Sequence, residues 1–228
     1  MCAEATDALR RARARRLAGL YALTPDLDDT GLLLAKVAAA LEGGAIAVQY
    51  RHKHAPPALR EVQASALARL HAARGALFIV NDDPALAAAV GADGVHLGED
   101  DPGIMIAREI VGPDRLIGIS CYNDFERACE AVLAGADYVA FGSFFPSSTK
   151  PGARRAEIAL LARAHELDVP VVAIGGIHSD NARSLVDAGA DAIAAIRDVF
   201  DHDDVADITN AALALSRCFG RPADRSLS

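Results

Sequence analysis

Several features that would assign a chain to a common class of protein are missing from this sequence. No apolar run approaches the roughly 18 residues that a membrane span needs. The arginine-rich segment LRRARARRLAG near the start lacks the apolar stretch of a signal peptide. An excess of positive charge is also missing, because the net charge is −8, whereas a general nucleic-acid binder usually carries a basic face. We therefore expect a soluble, cytoplasmic protein that binds neither membranes nor nucleic acid.

Paired cysteines are absent too. The four cysteines form no CxxC motif and have no histidine at metal-ligand spacing. This predicts reduced thiols in a reducing compartment. Cys121 follows a predicted strand, but the sequence offers it no identifiable base, so we do not predict a nucleophilic cysteine.

The sequence does contain a repeated helix-to-strand junction. It reads AAAVGADGVHLG from Ala87, AVLAGADYVAFG from Ala131 and LVDAGADAIAAI from Leu185. The shared glycine is expected to end each helix in a left-handed conformation. The apolar run that follows is typical of a strand buried on both faces of a parallel sheet.

Reading outward from these junctions gives eight strand-like runs separated by alanine-rich and leucine-rich amphipathic runs. The strand-like runs are 19–24, 45–51, 77–82, 94–98, 116–121, 138–145, 170–176 and 192–196. This alternation predicts a (β/α)8 barrel of the TIM type, preceded by a short N-terminal helix. An open doubly wound sheet is the alternative, but no GxGxxG follows the first strand. We expect one domain over residues 1–228, with strand one from about residue 19 and the last helix to about residue 218.

Polar residues concentrate at the carboxyl ends of the predicted strands, where barrel enzymes place their active sites. Strand two ends in QYRHK, and alternation places Gln49, Arg51 and Lys53 on one side. Strands three and four end in NDDP and HLGEDDP, whose aspartates could either cap the next helix or bind a metal. Carboxylates beside a cationic, phosphate-binding surface favour a bridging Mg²⁺. We interpret His96 as a satisfied interior histidine.

The remaining strand ends predict a second anion site in the same mouth of the barrel, which is the opening at the carboxyl ends of the strands. Strand five ends at Ser120, and strand six leads into the hydroxyl-rich stretch SSTK, which could also be an ordinary surface loop. Strand seven ends in two glycines that allow close backbone approach, and strand eight ends at Ile196 and Arg197. Loops after strands seven and eight commonly bind phosphate in this fold. Two phosphorylated groups held together indicate a transferase or a ligase-like coupling.

The ordered motifs QYRHK, NDD, HLGEDD, GIS, PSSTK and AIGGI resemble the thiamine-phosphate synthase family over nearly the whole chain. The resemblance implies a (β/α)8 barrel that couples 4-amino-2-methyl-5-hydroxymethylpyrimidine diphosphate to a thiazole phosphate and releases diphosphate. It implies Mg²⁺ as the cofactor, bound by Asp82 and Asp101. It also implies small-molecule substrates as the only partners apart from a homo-oligomer, which the sequence leaves open.

The resemblance assigns the remaining site residues. Arg51, Lys53, Ser120 and Lys150 are the implied catalytic residues, and Arg51, Lys53 and Lys150 would stabilise the departing diphosphate. Substrate binding is implied for these four and for Gln49, Tyr50, His52, Asn81, Ser147, Ser148, Thr149, Gly176, Ile196 and Arg197. Two alternatives remain at this level: a thiazole tautomerase on the same barrel, which would not need the cationic QYRHK face, and a non-catalytic phosphate-binding barrel.

Overall fold

The computed structural model describes residues 2–146 and 154–220, in which eight parallel strands close into a barrel in chain order. Each strand pairs with the next, and β1 pairs with β8 to close the sheet. The predicted (β/α)8 barrel is therefore confirmed. The strands are β1 Gly19–Leu23, β2 Ala47–Tyr50, β3 Leu77–Asn81, β4 Gly94–Leu97, β5 Leu116–Tyr122, β6 Tyr138–Gly142, β7 Val171–Ile174 and β8 Ala192–Ala195.

Helices alternate with these strands and pack on the outside of the barrel. The predicted N-terminal helix is α1, Cys2–Ala14, and the last described helix ends at Arg217. The others are α2 Thr30–Glu42, α3 Pro57–Ala72, α4 Pro84–Ala89, α5 Ile104–Val111, α6 Phe125–Leu133, α7 Ala159–Ala164, α8 Ser179–Asp187, α9 Arg197–Phe200 and α10 Val205–Arg217, with a 3₁₀ turn at His165–Leu167. No helix in the described ranges is long and apolar enough to span a membrane.

The repeated junction behaves as its sequence predicts. Gly91, Gly135 and Gly189 have φ angles of 69°, 99° and 113°, a region that side chains other than glycine rarely adopt. Each of these glycines directly follows a helix C-cap, so the helix stops and the chain turns into the next strand.

The aspartate of each junction has a role that the sequence did not reveal. Asp93, Asp137 and Asp191 each accept a hydrogen bond from the backbone N–H of the preceding strand, at 2.8–2.9 Å. The backbone N–H of each aspartate donates in return to the same strand residue. The aspartate of the repeated Gly-Ala-Asp motif therefore joins neighbouring strands at the amino-terminal end of the barrel.

Apolar residues fill both sides of the sheet. Inside the barrel, small and branched side chains pack with Tyr21 and Tyr138. Leu17, just after α1, belongs to this inner cluster and closes the amino-terminal end. The larger cluster lies between the sheet and the surrounding helices. With that end filled, an open cavity forms at the carboxyl ends of the strands.

Candidate active site

A cavity of about 800 Å³ opens at the carboxyl ends of the strands and receives side chains from all eight strand ends. Gln49, Arg51 and Lys53 all line it, as alternation along strand two predicted. Asn81, Asp82, Asp101 and Ser120 join them from the next three strand ends. Residues that are far apart in the chain are therefore brought into one mouth.

The end of β1 holds the cationic strand in position, and the sequence analysis missed this. The hydroxyl of Thr24 accepts from the backbone N–H of Arg51 at 2.8 Å and donates to its carbonyl at 2.9 Å. A carboxylate oxygen of Asp26 accepts from the Arg51 guanidinium at 3.1 Å and from the Lys53 backbone N–H at 3.2 Å. Thr24 and Asp26 thus fix the backbone and the guanidinium before any substrate arrives. The TPD that follows the first strand was the available signal.

Tyr50 and His52 do not line the cavity, because their side chains point away from it, and the expectation that these two residues bind substrate stays a prediction. Tyr50 is buried against α3, where its hydroxyl donates to Gln63 at 2.9 Å. His52 is also buried and lies beside Gln63, and its Nε2 is 3.4 Å from Asp28. The physical reason is strand alternation: because Gln49 and Arg51 point into the mouth, their neighbours point towards the helices.

Asp82 is not a helix cap, which removes the structural alternative for this residue. The cap of α4 is the next residue, Asp83, whose side chain accepts from the Leu86 N–H at 2.9 Å. Asp82 instead has a φ of 62°, a conformation uncommon outside glycine, asparagine and aspartate. Its carboxylate lies 3.9 Å from the ammonium of Lys53. The backbone conformation therefore turns this carboxylate into the mouth.

Asp101 is the second carboxylate of the predicted pair, and it lies directly against Asp82. Burial, followed by a hydrogen bond to Asp101 and the charge of Asp101, raises the pKa of Asp82 to about 6, against the opposing effect of Lys53 and Arg51. Asp101 does not cap α5 either: the cap position is Gly103, and Asp101 accepts from the Gly98 N–H at 2.6 Å. The negative charge of Asp101 thus disfavours the charged form of Asp82.

This pair suits a hard divalent cation. Among the residues that the structure describes, five carboxylates and four arginine or lysine side chains line the cavity; the carboxylates are Asp82, Glu99, Asp100, Asp101 and Asp198, and the cations are Arg51, Lys53, Arg154 and Arg197. Within residues 2–146 and 154–220, no group of three or more His, Cys, Asp or Glu side chains could hold a metal alone. Mg²⁺ commonly uses one or two carboxylates and completes its shell with water and substrate phosphates. The residues present therefore fit Mg²⁺ bound together with a phosphorylated substrate.

Strand five places Ser120 at the cavity and buries the next residue, Cys121. The Ser120 hydroxyl lies 2.9 Å from Nε2 of His96, whose Nδ1 lies 3.0 Å from the Tyr138 hydroxyl. The interpretation of His96 as a satisfied interior histidine is confirmed, although its ring also reaches the cavity wall. Burial raises the pKa of Cys121 to about 12, so this thiol is a poor source of thiolate.

The other side of the mouth consists of the ends of β6, β7 and β8. Gly176, Ile196 and Arg197 line the cavity as predicted. Gly176 has a φ of 65°, and a Cβ there would overlap the Pro146 carbonyl, so this glycine is needed for contact with the β6 loop. Ser147, Ser148, Thr149 and Lys150 lie outside the described residues.

The Arg197 guanidinium points back along its own short helix. Both Nε and one terminal nitrogen donate to Asp201, at 2.9 Å and 2.8 Å. The α9 helix is held at its other end by Lys36, which donates to the carbonyls of Phe200 and His202 at 3.0 Å and 2.6 Å. Arg197 lines the cavity with its guanidinium paired to Asp201.

An arginine–tyrosine group at the rim was also missed. Tyr122, with a φ of 54°, lies between Arg127 and Arg154, whose guanidinium carbons are 5.8 Å and 5.6 Å from the ring centre. Arg127 donates to the Ser120 carbonyl at 2.9 Å and so holds the end of β5. Long-range contacts of this kind leave no local signal in a sequence.

The fold and the cavity together define a (β/α)8-barrel enzyme with its site at the carboxyl ends of the strands. A family model described as thiamine monophosphate synthase matches residues 20–199. A thiamine-phosphate synthase from Thiobacillus denitrificans is 55% identical over 202 residues, which cover 88% of this chain and 94% of that protein. One from Chromobacterium violaceum is 55% identical over 205 residues, covering 90% and 98%.

Among solved structures, thiamine phosphate pyrophosphorylase from Pyrococcus furiosus is similar with a TM-score of 0.79 at 39% identity, covering 90% of this chain and 96% of that one. The chain belongs to the thiamine monophosphate synthase family.

Proposed function

We propose that this chain joins 4-amino-2-methyl-5-hydroxymethylpyrimidine diphosphate to a thiazole phosphate, giving thiamine phosphate and diphosphate, with residues 1–228 acting as one barrel domain. The observation that carries the proposal is the union of Arg51 and Lys53 with the Asp82–Asp101 pair in one mouth. The curated relatives at 55% identity carry the name of this activity. A thiazole tautomerase would have no use for this cationic and carboxylate-rich half of the cavity.

The pyrimidine diphosphate is assigned to the side of the mouth formed by β2 to β5. Gln49 and Asn81 hold the ring and its diphosphate, and Ser120 lies beside the ring. The Arg51 guanidinium is oriented by Asp26, so little reorganisation is needed when it meets the diphosphate. Asp82 and Asp101 would hold Mg²⁺, which when bound neutralises charge on the diphosphate.

The reaction breaks the bond between the pyrimidine methylene carbon and the diphosphate oxygen, and the bonding electrons leave with the diphosphate. Arg51, Lys53 and Lys150 stabilise the negative charge that develops on this leaving group. The aminopyrimidine carries the resulting positive charge, and the thiazole nitrogen forms the new bond to the methylene carbon. No protein nucleophile takes part, in keeping with the buried Cys121.

The thiazole phosphate is assigned to the opposite side of the mouth. Its phosphate would meet the backbone at Gly176, Ile196 and Arg197, where two glycines with positive φ bring the chain close to the cavity. Ser147 and Thr149 are assigned to the same substrate from the resemblance alone, and Ser148 to substrate binding in general. Cytoplasmic localisation and assembly as a homo-oligomer stay predictions of the sequence.

A coupled assay tests the proposal. Purified protein is given both substrates with Mg²⁺, and released diphosphate and thiamine phosphate are measured together. We expect equal amounts of the two products, and loss of both when a chelator removes the divalent cation. Binding of the pyrimidine diphosphate without product release would overturn the proposal and indicate a non-catalytic barrel. Undiminished turnover in excess chelator would overturn the assignment of Mg²⁺.

A further inference from the structure

Five side chains from five different strands form one continuous hydrogen-bonded chain across the barrel interior. Nε2 of Gln49 donates to the Tyr21 hydroxyl at 2.9 Å, and the Tyr21 hydroxyl lies 3.1 Å from that of Tyr138. The Tyr138 hydroxyl lies 3.0 Å from Nδ1 of His96, and Nε2 of His96 lies 2.9 Å from the Ser120 hydroxyl. Both ends of this chain, Gln49 and Ser120, line the cavity.

The interior of the barrel accommodates this hydrogen-bonded chain of side chains. The Tyr138 ring stacks on His96 with centroids 5.5 Å apart and meets Tyr21 edge to face at 6.3 Å. A Cβ on Gly118 would overlap the Tyr138 ring, so the glycine in β5 makes the space for it. Tyr138 is 0% exposed, and Tyr21, which lines the base of the cavity, is 1% exposed, so both hydroxyls are almost completely withdrawn from solvent. Each must therefore be satisfied within the chain.

The order of donors in this chain runs in one direction. A tyrosine hydroxyl has one hydrogen, so Tyr21, which accepts from Gln49, donates to Tyr138, and Tyr138 in turn donates to Nδ1 of His96. A neutral imidazole that accepts at Nδ1 carries its hydrogen on Nε2 and donates it to Ser120. The Ser120 hydroxyl then keeps its own hydrogen for a ligand. Because the amide nitrogen of Gln49 is directed at Tyr21, the amide oxygen of Gln49 is available to accept a hydrogen bond from a ligand.

We propose that this chain couples the amide orientation of Gln49 to the hydroxyl orientation of Ser120 and so selects a 4-aminopyrimidine over a 4-oxopyrimidine. Tyr21, Tyr138 and His96 are positioning residues that act through Gln49 and Ser120. An aminopyrimidine edge presents an N–H donor beside a ring-nitrogen acceptor, which complements an acceptor at Gln49 and a donor at Ser120. The 4-oxo ring presents an acceptor beside an N–H donor and would require all four hydrogen bonds to reverse. This inference rests on the proposed function for the class of substrate.

Binding and spectroscopy test the coupling without depending on turnover. Titration calorimetry with Mg²⁺ and without the thiazole phosphate gives the dissociation constants of the 4-amino and 4-oxo pyrimidine diphosphates. We expect the wild-type protein to favour the amino form by roughly 10- to 100-fold, the effect of leaving buried polar groups unpaired. Nitrogen NMR of the imidazole should show His96 with its hydrogen on Nε2.

Tyr138→Phe removes the central hydroxyl while keeping the ring, and it should lower the preference by roughly tenfold because Gln49 can then turn independently of Ser120. Tyr50→Phe is the matched control: it removes an equally buried hydroxyl, bonded to Gln63 and directed away from the cavity, and should leave the preference unchanged. Tyr21→Phe interrupts the series of hydrogen bonds at the next side chain, and it tests the same coupling if Tyr138→Phe does not fold.

A His96 hydrogen on Nδ1 in the wild-type protein, or an unchanged preference in both cut variants, would overturn the coupling. These measurements need only binding, so they stay informative if the coupled assay shows no diphosphate release. Conversely, normal synthesis of thiamine phosphate with no amino preference would overturn the coupling and leave the proposed function intact.

Discussion

At the amino-terminal end of the barrel, Asp137 meets Arg10 at 2.5 Å, Arg108 at 2.7 Å and the Ile117 N–H at 2.8 Å. At the carboxyl-terminal end, Asp82 lies against another carboxylate in a left-handed backbone conformation. Both are half-buried or buried aspartates that lie close to a strand. Only the first has its charge fully compensated by arginine and backbone donors.

The difference shows which end maintains the fold and which end serves the chemistry. A buried carboxylate with two guanidinium partners and an amide donor contributes to a single folded state. A half-buried carboxylate placed against a second carboxylate is unfavourable until a cation arrives, and a perturbed pKa in a cavity is typical of functional sites. We therefore expect substitutions at the amino-terminal end to change stability, and substitutions at the carboxyl-terminal end to change catalysis.

The largest effect is expected at the stable end. Asp137→Asn leaves Arg10 and Arg108 without their shared carboxylate, and losing one partner of a buried ion pair typically costs about 3–5 kcal/mol in the free energy of unfolding. Turnover per folded molecule should stay at the wild-type value. Denaturant unfolding combined with active-fraction kinetics measures both. Asp93→Asn, at the same junction position, is the control and should cost less; equal losses would mean that the arginines contribute little.

The next effect belongs to the catalytic end. If Lys150 stabilises the departing diphosphate, Lys150→Ala should slow the chemical step by roughly 10²–10³ while binding of the pyrimidine diphosphate changes less. A surface lysine would instead change stability by about 0.5 kcal/mol or less. Single-turnover kinetics and thermal melts separate the two. A variant with normal melting and normal turnover would assign SSTK to an ordinary surface loop.

The two adjacent aspartates at the end of strand four provide a sharper comparison within the cavity. Asp101→Ala removes one member of the carboxylate pair and should raise the Mg²⁺ concentration needed for half-maximal turnover. The increase should exceed the roughly 10- to 100-fold typical of a lost outer-sphere partner. Asp100→Ala, one residue away, should change it much less. Titrating activity with Mg²⁺ measures both. A larger effect of Asp100→Ala would contradict the assignment of Asp101 as the metal ligand.

A smaller effect is expected where the cavity is preorganised. Asp26→Asn weakens the 3.1 Å contact to the Arg51 guanidinium, a partly exposed ion pair for which about 1 kcal/mol is reasonable. The KM for the pyrimidine diphosphate should rise about fivefold. Asp28→Asn, on the same loop and largely exposed, is the control. An Asp26→Asn enzyme with a lower KM would show that the negative charge of Asp26 opposes the substrate more than it orders Arg51.

The smallest effect is expected at Arg197, because its guanidinium is paired with Asp201 and its side chain is more than half exposed. Arg197→Ser should change kcat/KM for the thiazole phosphate by less than about threefold. Steady-state kinetics with varied thiazole phosphate measures this. A loss above about 3 kcal/mol in transition-state binding would make the guanidinium a direct phosphate contact.

The site could be largely predicted because strand periodicity and barrel topology are local properties with a global consequence. Gln49, Arg51 and Lys53 share one side through their spacing, and the carboxyl ends of the strands converge in any such barrel. The same rule, applied strictly, would have turned Tyr50 and His52 away from the mouth. Their assignment to substrate binding came from the resemblance alone, and alternation does not support it for their side chains.

What could not be predicted involves partners on different strands. Asp82 and Asp83 are neighbours of the same type, and only the backbone conformation decides that Asp83 caps the helix while Asp82 faces the cavity. Thr24 and Asp26 reach Arg51 across the β1–β2 pairing. Such contacts depend on the register between strands, which the closed barrel sets.

The sequence by itself determined the eight-fold alternation, the glycine that ends the helix at each of the three repeated junctions, and the polar strand ends. These depend on periodicities of 3.6 and 2 residues and on the conformational freedom of glycine. Only the tertiary structure decided that Asp137 is paired with two arginines while Asp82 lies against a second carboxylate, and that Gln49 and Ser120 are joined through Tyr21, Tyr138 and His96. The physical reason is that charge compensation and buried hydrogen bonding depend on which side chains meet across the barrel, and closure of the sheet alone brings them together.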